Sequence, residues 1–404
     1  MNISVLSVLR DCTSCQMCAA ACPVDAIEIR LDDDGFYRPW VIAERCIDCG
    51  VCVKVCYRFD KDIVETSKDE LENMPLYAAS ARDNRLVSQV TSGGVADLLA
   101  KQLIAEGYIC IGVSYDDAET RALHTIACSP DETDAFRGSK YIQSYSYSAF
   151  RNLVRNCTGQ KYAVFGTPCQ IYGIHKYLAT RKCRDRHVLI DLYCHGCPSL
   201  FLWRKYAEEV KSQIGKEKFV HLDFRSKARG WGNFCIAVTE NHHRVFVSSP
   251  QKDEFYTLFF SDQVLNGACS DCQLRSTLAY TDIRLGDFWG KRYALNSRGV
   301  SAVSLVTKRG LTLFETLSPQ LSICKRHPYR DFLPWQSYGK DYQPDMDLRR
   351  MLLHQLADPD IPLQQTVRTY YRKQGIRERL KRCIKHILYY MPYRIGFMIK
   401  RLFV

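Results

Sequence analysis

The chain has 404 residues, of which 46% are hydrophobic and 25% charged, and its formal net charge is +12. This composition excludes a disordered or fibrous protein, and the length is sufficient for two or three domains. No apolar run is long enough to span a bilayer and the first residues do not form a secretion signal, so we expect a cytoplasmic protein. The 20 cysteines then indicate metal or redox chemistry in a reducing compartment.

Eight cysteines near the start of the chain form two runs with the same C-x2-C-x2-C-x3-C spacing. The runs are Cys12, Cys15, Cys18 and Cys22, followed by Cys46, Cys49, Cys52 and Cys56. In this pattern three thiolates of one loop bind one 4Fe-4S cluster, and the fourth cysteine binds the cluster of the other run. The spacing therefore predicts a first cluster on Cys12, Cys15, Cys18 and Cys56, and a second cluster on Cys46, Cys49, Cys52 and Cys22.

The residues that follow each run agree only in part with this pattern. Pro23 follows the first run, as expected, whereas Tyr57 follows the second run in place of a proline. The alternative is a pair of zinc sites, but zinc does not require two matching runs of four cysteines. Residues 1–60 resemble bacterial two-cluster ferredoxins, which transfer electrons one at a time. We predict that residues 61–76 form a linker, because residues 61–73 are rich in acidic side chains.

The next part of the chain alternates short apolar runs with helical periodicity. Strands are predicted at residues 108–115, 161–165 and 187–193, and helices at residues 95–106, 148–157 and 171–179. This alternation predicts an α/β domain whose sheet is partly parallel, with a mixed or antiparallel extension over residues 219–330. The predicted fold is thus an α+β ferredoxin-like module, an α/β domain with a mixed sheet at residues 77–335, and a helical basic region at residues 336–404.

Cysteines follow two of the predicted strands, and the ends of parallel strands meet at one edge of a sheet. Cys169 follows the strand at 161–165, and Cys194 follows the strand at 187–193. Cys269 and Cys272 form a further C-x2-C pair. These four thiolates predict a third 4Fe-4S cluster, with Cys197 as a competitor of Cys194. The other cysteines lack metal-like spacing and are predicted to be buried apolar thiols: Cys110, Cys128, Cys157, Cys183, Cys235, Cys324 and Cys383.

Two glycine-containing segments are candidate cofactor contacts. Ser92, Gly93 and Gly94 precede a predicted helix, where exposed amides could face a phosphate or a flavin edge. Lys140 lies in the segment RGSKYIQS at residues 137–144 and could bind a pyrophosphate or polarise a flavin ring. The alternatives are an ordinary turn at the helix start and a solvated charge.

Taken together, five separated motifs resemble the coenzyme F-420 hydrogenase/dehydrogenase beta-subunit family. They are TSGGVADLLA at 91–100, FRGSKYIQS at 136–144, YAVFGTPCQ at 162–170, CHGCPS at 194–199 and DIRLGDFWG at 282–290. The resemblance implies a flavin, FAD, at Ser92, Gly93, Gly94 and Lys140, close to a 4Fe-4S cluster on Cys169, Cys194, Cys269 and Cys272. It gives Asp287 no role, and it favours Cys194 over Cys197 as the ligand.

The family resemblance also leads to two functional hypotheses. The first is an iron-sulfur flavoprotein oxidoreductase that takes electrons from a ferredoxin-like or flavodoxin-like donor and reduces an organic substrate, for example a sugar-linked one in surface-polysaccharide biosynthesis. The second is an electron-transfer subunit of a deazaflavin-type oxidoreductase that serves a partner enzyme. A redox sensor is a remote third hypothesis. His195 is a candidate proton donor, although a hydrogen bond to a cluster sulfur would explain it equally well.

Most of the positive charge lies at the end of the chain. Residues 366–404 contain eleven Lys or Arg and one acidic residue, Glu378, interleaved with apolar and aromatic side chains. Such a segment can lie along an anionic membrane surface, where a lipid-linked substrate would be accessible. The alternatives are steering of an acidic electron donor and a solvated helix packed on its own domain. Nucleic acid is not expected as a partner, because the sequence contains no recognition module.

Overall fold

The computed structural model describes residues 2–4, 11–249, 252–375, 380 and 384. Its α-helices are α1 (Met17–Ala20), α2 (Val51–Lys54), α3 (Lys68–Asn73), α4 (Asn84–Gln89), α5 (Val95–Ala105), α6 (Tyr147–Asn156), α7 (Pro168–Thr180), α8 (Leu200–Ile214), α9 (Glu254–Phe259), α10 (Lys308–Thr316), α11 (Met346–Ala357) and α12 (Leu363–Lys373). Its β-strands are β1 (Ile27–Leu31), β2 (Tyr37–Val41), β3 (Leu76–Ala81), β4 (Ile109–Asp116), β5 (Arg121–Ala127), β6 (Ser144–Tyr145), β7 (Tyr162–Phe165), β8 (Val188–Leu192), β9 (His221–Asp223), β10 (Ala237–Glu240), β11 (His243–Val247), β12 (Ile283–Asp287), β13 (Ser301–Leu305) and β14 (Leu321–His327).

The N-terminal module combines an antiparallel hairpin, β1 with β2, and two cysteine loops that repeat the same backbone conformation. In the first loop Ser14 and Gln16 are left-handed, each with φ of 63°. The equivalent residues of the second loop, Asp48 and Gly50, have φ of 51° and 73°. Left-handed residues turn the chain tightly, so each loop is short and is followed at once by a helical turn, α1 or α2. The repeat in sequence is therefore also a repeat in structure.

The larger domain is built on a nine-stranded mixed sheet with the order β14-β3-β13-β12-β8-β7-β4-β5-β6. Strand β7 pairs in parallel with β4 and β8, and β8 pairs in parallel with β12, whereas both outer regions contain antiparallel pairs. Strands β9, β10 and β11 form a separate antiparallel sheet. The predicted mixed sheet is confirmed, and the predicted strands and helices at residues 95–193 match β4, β7, β8, α5, α6 and α7 closely.

Helices cover both faces of the central strands, as the alternation of side chains along a strand requires. On β8, Val188 and Ile190 belong to the core formed with α5 and α10, whereas Leu189 belongs to the core formed with α6 and α7. Met17 of α1 is fully buried in this second core. The N-terminal module therefore packs directly on the helices that flank the parallel strands.

The predicted linker at residues 61–76 contains a helix, α3, which begins with a capping box between Ser67 and Glu70. One interpretation from the sequence needs correction. Cys128 and Cys324 are exposed rather than buried, since Cys128 directly follows the end of β5 and Cys324 lies on the edge strand β14. The prediction of buried thiols is confirmed for Cys110, Cys157, Cys183 and Cys235, and Cys383 lies outside the described residues.

The C-terminal region is described up to α12. Helices α11 and α12 pack on the core through side chains such as Leu352 and Leu363. Most of the basic segment at residues 366–404 lies outside the described residues, so its predicted helical structure and membrane contact stay predictions. In the part of the chain that the structure describes, no helix combines the length and apolarity needed to span a membrane.

Candidate functional site

Four cysteines of the N-terminal module line a single cavity. Cys22, Cys46, Cys49 and Cys52 share it with apolar side chains such as Ile27. Cys22 is the last cysteine of the first run, and it therefore joins the first three of the second run. Cys49 is exposed, so this group of thiols lies at the protein surface.

The other four cysteines of the two runs are buried or partly buried: Cys12, Cys15, Cys18 and Cys56. Burial, together with the charges of Cys56 and Cys12, raises the pKa of Cys15 to about 12. Burial likewise raises the pKa of Cys18, with contributions from Cys15, Cys12 and Cys56. Cys56, the last cysteine of the second run, thus acts on thiols of the first run, and the charge of Cys52 also raises the pKa of Cys18. The assignment of the eight cysteines to two crossed clusters stays a prediction.

A third group of cysteines lies at the carboxyl edge of β7 and β8. Cys169 is in the first turn of α7, and Thr167 Oγ1 lies 3.1 Å from its sulfur. Burial raises the pKa of Cys169, and so do the charges of Cys15, Cys272 and Cys269. Cys194 follows β8, and burial raises its pKa to about 12, helped by Cys169 and Cys272. The four thiols proposed for the third cluster are therefore neighbours.

Cys197 is a fifth thiol in the same group. Its pKa is raised by burial and by the charges of Cys194, Cys269, Cys169 and Cys272. The loop that carries it turns at Gly196, where φ is 155° and a Cβ would lie only 2.9 Å from Leu265 Cδ1 and 3.6 Å from Cys269 Sγ. This close approach explains why position 196 is a glycine. Both Cys194 and Cys197 lie near the remaining thiols of the group.

His195 is held by polar groups from two other segments of the chain. Its Nδ1 is 2.9 Å from Tyr342 Oη and 3.2 Å from Ser337 Oγ. Its Nε2 is 2.9 Å from Asp262 Oδ1, at ion-pair distance but without the alignment of a hydrogen bond. The ring also packs against Phe259. The side chain is thus fixed beside the cysteine group, and its role as a proton donor stays a prediction.

The two segments predicted to contact a flavin meet in the structure. The Ser139 N–H donates a hydrogen bond to Thr91 Oγ1 at 2.8 Å. Gly93 lies so close to β3 that a Cβ would collide with Ala79 O, so only glycine fits there. Gly94, with φ of 87°, begins α5.

Ser92 and Lys140 differ in how their polar atoms are satisfied. Ser92 Oγ is buried and has no hydrogen-bond partner among the described residues, so a polar group of a flavin would satisfy it. Lys140 Nζ already donates to Ala135 O at 3.1 Å and to Arg137 O at 2.8 Å. Desolvation lowers the pKa of Lys140 to about 7, against a smaller opposite effect of Asp223, although part of its side chain remains exposed. The loop at Ser92 therefore fits the predicted cofactor better than the lysine does.

Comparison with known proteins reproduces the division into two modules. A family described as "4Fe-4S dicluster domain" matches residues 11–58. A second family, described as the C terminus of "Coenzyme F420 hydrogenase/dehydrogenase, beta subunit", matches residues 159–327. The chain thus contains one segment that matches each of the two families. The resemblances found in the sequence are confirmed, and we refer to the two parts as the dicluster domain and the beta-subunit domain.

Curated relatives match each part of the chain separately. Coenzyme F420 hydrogenase subunit beta from Methanococcus voltae is 27% identical over 157 residues, which is 35% of this chain and 56% of that protein. NADH-quinone oxidoreductase subunit I from Pelobacter propionicus is 34% identical over 87 residues, which is 19% of this chain and 42% of that protein. The chain thus spans about half the length of these relatives.

A solved structure of the F420-reducing [NiFe] hydrogenase complex from Methanosarcina barkeri, a xenon derivative, contains a chain that aligns with this one. The alignment covers 78% of this chain and 97% of that chain, with 17% sequence identity and a TM-score of 0.47.

The dicluster match supports iron-sulfur clusters in residues 11–58. Among the residues that the structure describes, no group of three or more His, Cys, Asp or Glu side chains converges closely enough to hold a single metal ion. A cubane makes a different demand, because it distributes four thiolates over four irons. The crossed cysteine groups have the composition that this demand requires.

The sequence did not reveal a charged and aromatic cluster beside the candidate flavin loops. Arg225 is buried between the rings of Phe234 and Trp289, at 3.9 Å and 4.7 Å from their centroids. Its Nη1 is 2.5 Å from Asp287 Oδ2, and Trp231 Nε1 donates to Asp287 Oδ1 at 3.0 Å. Asp287, which had no role in the sequence analysis, therefore neutralises a buried guanidinium and anchors an indole.

Lys227 connects this cluster to the Ser92 loop. Its Nζ donates to Ser92 O at 2.7 Å and to Val87 O at 2.6 Å. Desolvation lowers the pKa of Lys227 to about 8, although Asp287 raises it. The charged cluster and the glycine loop are thus one structural unit, formed by residues that lie far apart in sequence.

Proposed function

We propose that the chain is an iron-sulfur oxidoreductase whose dicluster domain exchanges electrons with a third cluster in the beta-subunit domain and thereby with a flavin that serves an organic substrate. The single observation that carries this proposal is the burial of two cysteine groups against each other. Tyr57 and Tyr172 form a buried cluster with Leu274, against which Cys169 and Cys272 pack. Tyr57 directly follows Cys56, so one aromatic contact borders both cysteine groups.

The dicluster domain is fixed on the beta-subunit domain rather than tethered to it. The Gln16 side chain accepts hydrogen bonds from the N–H groups of Ser146 at 2.8 Å and Tyr147 at 3.0 Å, and donates one to Ser144 O at 3.1 Å. Arg151 donates to the carbonyl oxygens of Ala20 and Cys22, at 2.9 Å and 2.6 Å. A relay needs its sites at constant separation, and these bonds provide it.

In this proposal the first cluster is held by Cys12, Cys15, Cys18 and Cys56, and the second by Cys22, Cys46, Cys49 and Cys52. The third cluster is held by Cys169, Cys269 and Cys272 with either Cys194 or Cys197. Ser92, Gly93, Gly94 and Lys140 contact FAD. A bound flavin supplies the exchange between single electrons and a hydride.

The electron donor and the substrate are proposed from the chemistry of the clusters and the flavin, and not from residue contacts in the structure. A small one-electron carrier such as a ferredoxin or a flavodoxin is the class of donor that a surface cluster near Cys49 would accept. The organic substrate, including a sugar-linked or lipid-linked one, and a role in polysaccharide biosynthesis are hypotheses from the sequence. His195 is the proposed proton donor for that substrate.

A second candidate function is an electron-transfer subunit that serves a partner enzyme. It is favoured by one specific observation, namely that both curated relatives are named as subunits of larger enzymes. In that case the beta-subunit domain would pass electrons to or from a site on another protein, and a deazaflavin coenzyme would be the natural substrate of the assembly.

One experiment separates these two functions. The anaerobically purified chain is mixed with dithionite-reduced ferredoxin, FAD and either coenzyme F420 or a lipid-linked sugar, with no other protein present. The proposed enzyme oxidises ferredoxin over many turnovers, beyond the few electrons that its own clusters and flavin accept, only when an acceptor is present. A chain that is reduced by ferredoxin but passes electrons to neither acceptor would support the subunit function, and a chain that ferredoxin does not reduce would contradict both.

A further inference from the structure

Two buried polar side chains join the cysteine loop of the dicluster domain to the cysteine loop of the beta-subunit domain. Asn266 Nδ2 donates a hydrogen bond to Ser14 Oγ at 3.0 Å, across 252 residues of sequence. Asn266 is fully buried and Ser14 is nearly so. A buried amide requires hydrogen-bond partners, so this contact fixes the separation of the two loops.

Ser14 and Asn266 each form a further hydrogen bond to a cysteine. On one side the Ser14 N–H donates to Cys12 Sγ at 3.4 Å. On the other side the Cys269 N–H donates to Asn266 O at 2.8 Å, and the Asn266 N–H donates to Cys197 O at 2.7 Å. Hydrogen bonds thus connect a ligand of the proposed first cluster to the main chain of two cysteines in the third group.

The repeated loop of the dicluster domain differs at the equivalent position. Asp48 takes the place of Ser14 there, with a similar left-handed backbone. Asp48 is exposed, and its carboxylate accepts a hydrogen bond from Asn2 of the same domain at 3.5 Å. The serine is therefore not a general feature of these loops, and it occurs in the loop that contacts the beta-subunit domain.

We propose that Asn266 and Ser14 form the bridge through which the first cluster and the third cluster exchange electrons, with Asn266 as a positioning residue that holds the Ser14 N–H against Cys12 Sγ. This inference rests on the proposed function. One electron crosses at a time, so one site is oxidised by one electron and the other is reduced by one, and no bond is made or broken. The reductant is the one-electron carrier protein named above.

The bridge also has a consequence for the reduction potential. An N–H group that points at a cysteine sulfur stabilises the additional negative charge of a reduced cluster and raises its potential. Loss of Asn266 frees the Ser14 loop and weakens that bond. A residue of the beta-subunit domain therefore sets the potential of a cluster in the dicluster domain.

The test compares the full chain with three variants, purified anaerobically. Asn266→Leu removes the amide, and Ser14→Ala removes only the hydroxyl while leaving the Asn266 side chain to accept its bond from Ala268 N. Thr312→Ala is the control, because Thr312 is exposed on α10 and its hydroxyl donates to Lys308 O of the same helix. Iron and acid-labile sulfide are measured first, followed by an EPR-monitored redox titration and by the rate of electron redistribution after rapid reduction.

The bridge predicts unchanged iron and sulfide in all variants. It predicts a more negative potential for one cluster and slower redistribution in Asn266→Leu and Ser14→Ala, with wild-type behaviour in Thr312→Ala. Wild-type potentials and rates in the first two variants would overturn the bridge while leaving the proposed function intact. Absence of iron and sulfide from the unmodified chain would instead overturn the proposed function. If Asn266→Leu loses iron, Ser14→Ala decides the outcome alone.

Discussion

Gly173 of α7 faces Met17 of α1 so closely that a Cβ at the glycine would lie 2.8 Å from Met17 Cβ. The two residues belong to different domains, and their contact lies within the core shared by α1, α6 and α7. The close packing of the dicluster domain on the beta-subunit domain therefore depends on the absence of a side chain at one position.

We expect Gly173→Ala to lower the free energy of unfolding, because the added methyl overpacks a filled core at a cost of about 1–3 kcal/mol. This effect opposes the helix propensity of alanine, which alone would stabilise α7 by up to ~1 kcal/mol. Chemical denaturation of Gly173→Ala, of Met17→Gly, which removes the Cβ that the new methyl would meet, and of the double variant measures the coupling. The double variant should lose less unfolding free energy than the sum of the losses in the two single variants. Strictly additive losses would contradict direct contact between the two residues.

A buried ion pair holds the segment next to Cys272. Arg284 Nε and Nη2 donate to the two carboxylate oxygens of Asp191, at 2.8 Å and 2.5 Å, and both side chains are 2% exposed. We expect Arg284→Met to destabilise the fold by about 3–5 kcal/mol, because it leaves the Asp191 carboxylate buried without a partner. The double variant Arg284→Met/Asp191→Leu should be much closer to wild type in a urea titration. A double variant as unstable as the single one would show that the ion pair is not the cause.

His124 predicts a pH dependence of stability. It is fully buried beside Phe150, and burial lowers its pKa to about 4, from 6.5 in an unfolded chain. Between these values the unfolded state binds more protons than the folded state, so stability falls as pH falls from 6.5 to 4. The shift corresponds to roughly 3 kcal/mol at the acidic end.

The non-titrating variant His124→Leu should lose this part of the pH dependence. The free energy of unfolding is measured by urea titration at several pH values between 4 and 7.5. The slope of this free energy against pH is then compared between His124→Leu and wild type. His354→Gln serves as the control, because His354 is exposed on α11. Equal slopes for wild type and His124→Leu would contradict the assignment.

Lys140 predicts a pH dependence of flavin binding. Because desolvation lowers its pKa to about 7, it is a cation below this pH and largely neutral above it. If it binds the diphosphate of FAD, the affinity of the flavin-free protein for FAD should fall as pH rises through 7. Fluorimetric titration of Lys140→Gln should show weaker and pH-independent binding, and the exposed Lys68→Gln should behave as wild type. Wild-type affinity in Lys140→Gln would remove Lys140 from the FAD site.

The sequence predicted the features that depend on local spacing. The crossed cysteine groups follow from two identical runs, and the meeting of Cys169 with Cys194 follows from the parallel order of β7 and β8. Contacts between distant segments were not predictable, because nothing local marks Arg225 as the partner of Asp287 or Asn266 as the partner of Ser14. The helix α3 was not predicted, because its acidic residues were interpreted as part of a linker although Ser67 and Glu70 form a capping box there.

Metal analysis tests most directly whether the third cysteine group holds a cluster of its own, on which the proposed electron path depends. Iron and acid-labile sulfide are quantified in the anaerobically purified chain, in Cys169→Ala and in Cys128→Ala, whose exposed thiol is the control. We expect about twelve irons for the wild type and the control and about eight for Cys169→Ala, since each cubane contains four. About eight irons in all three proteins would contradict a third cluster.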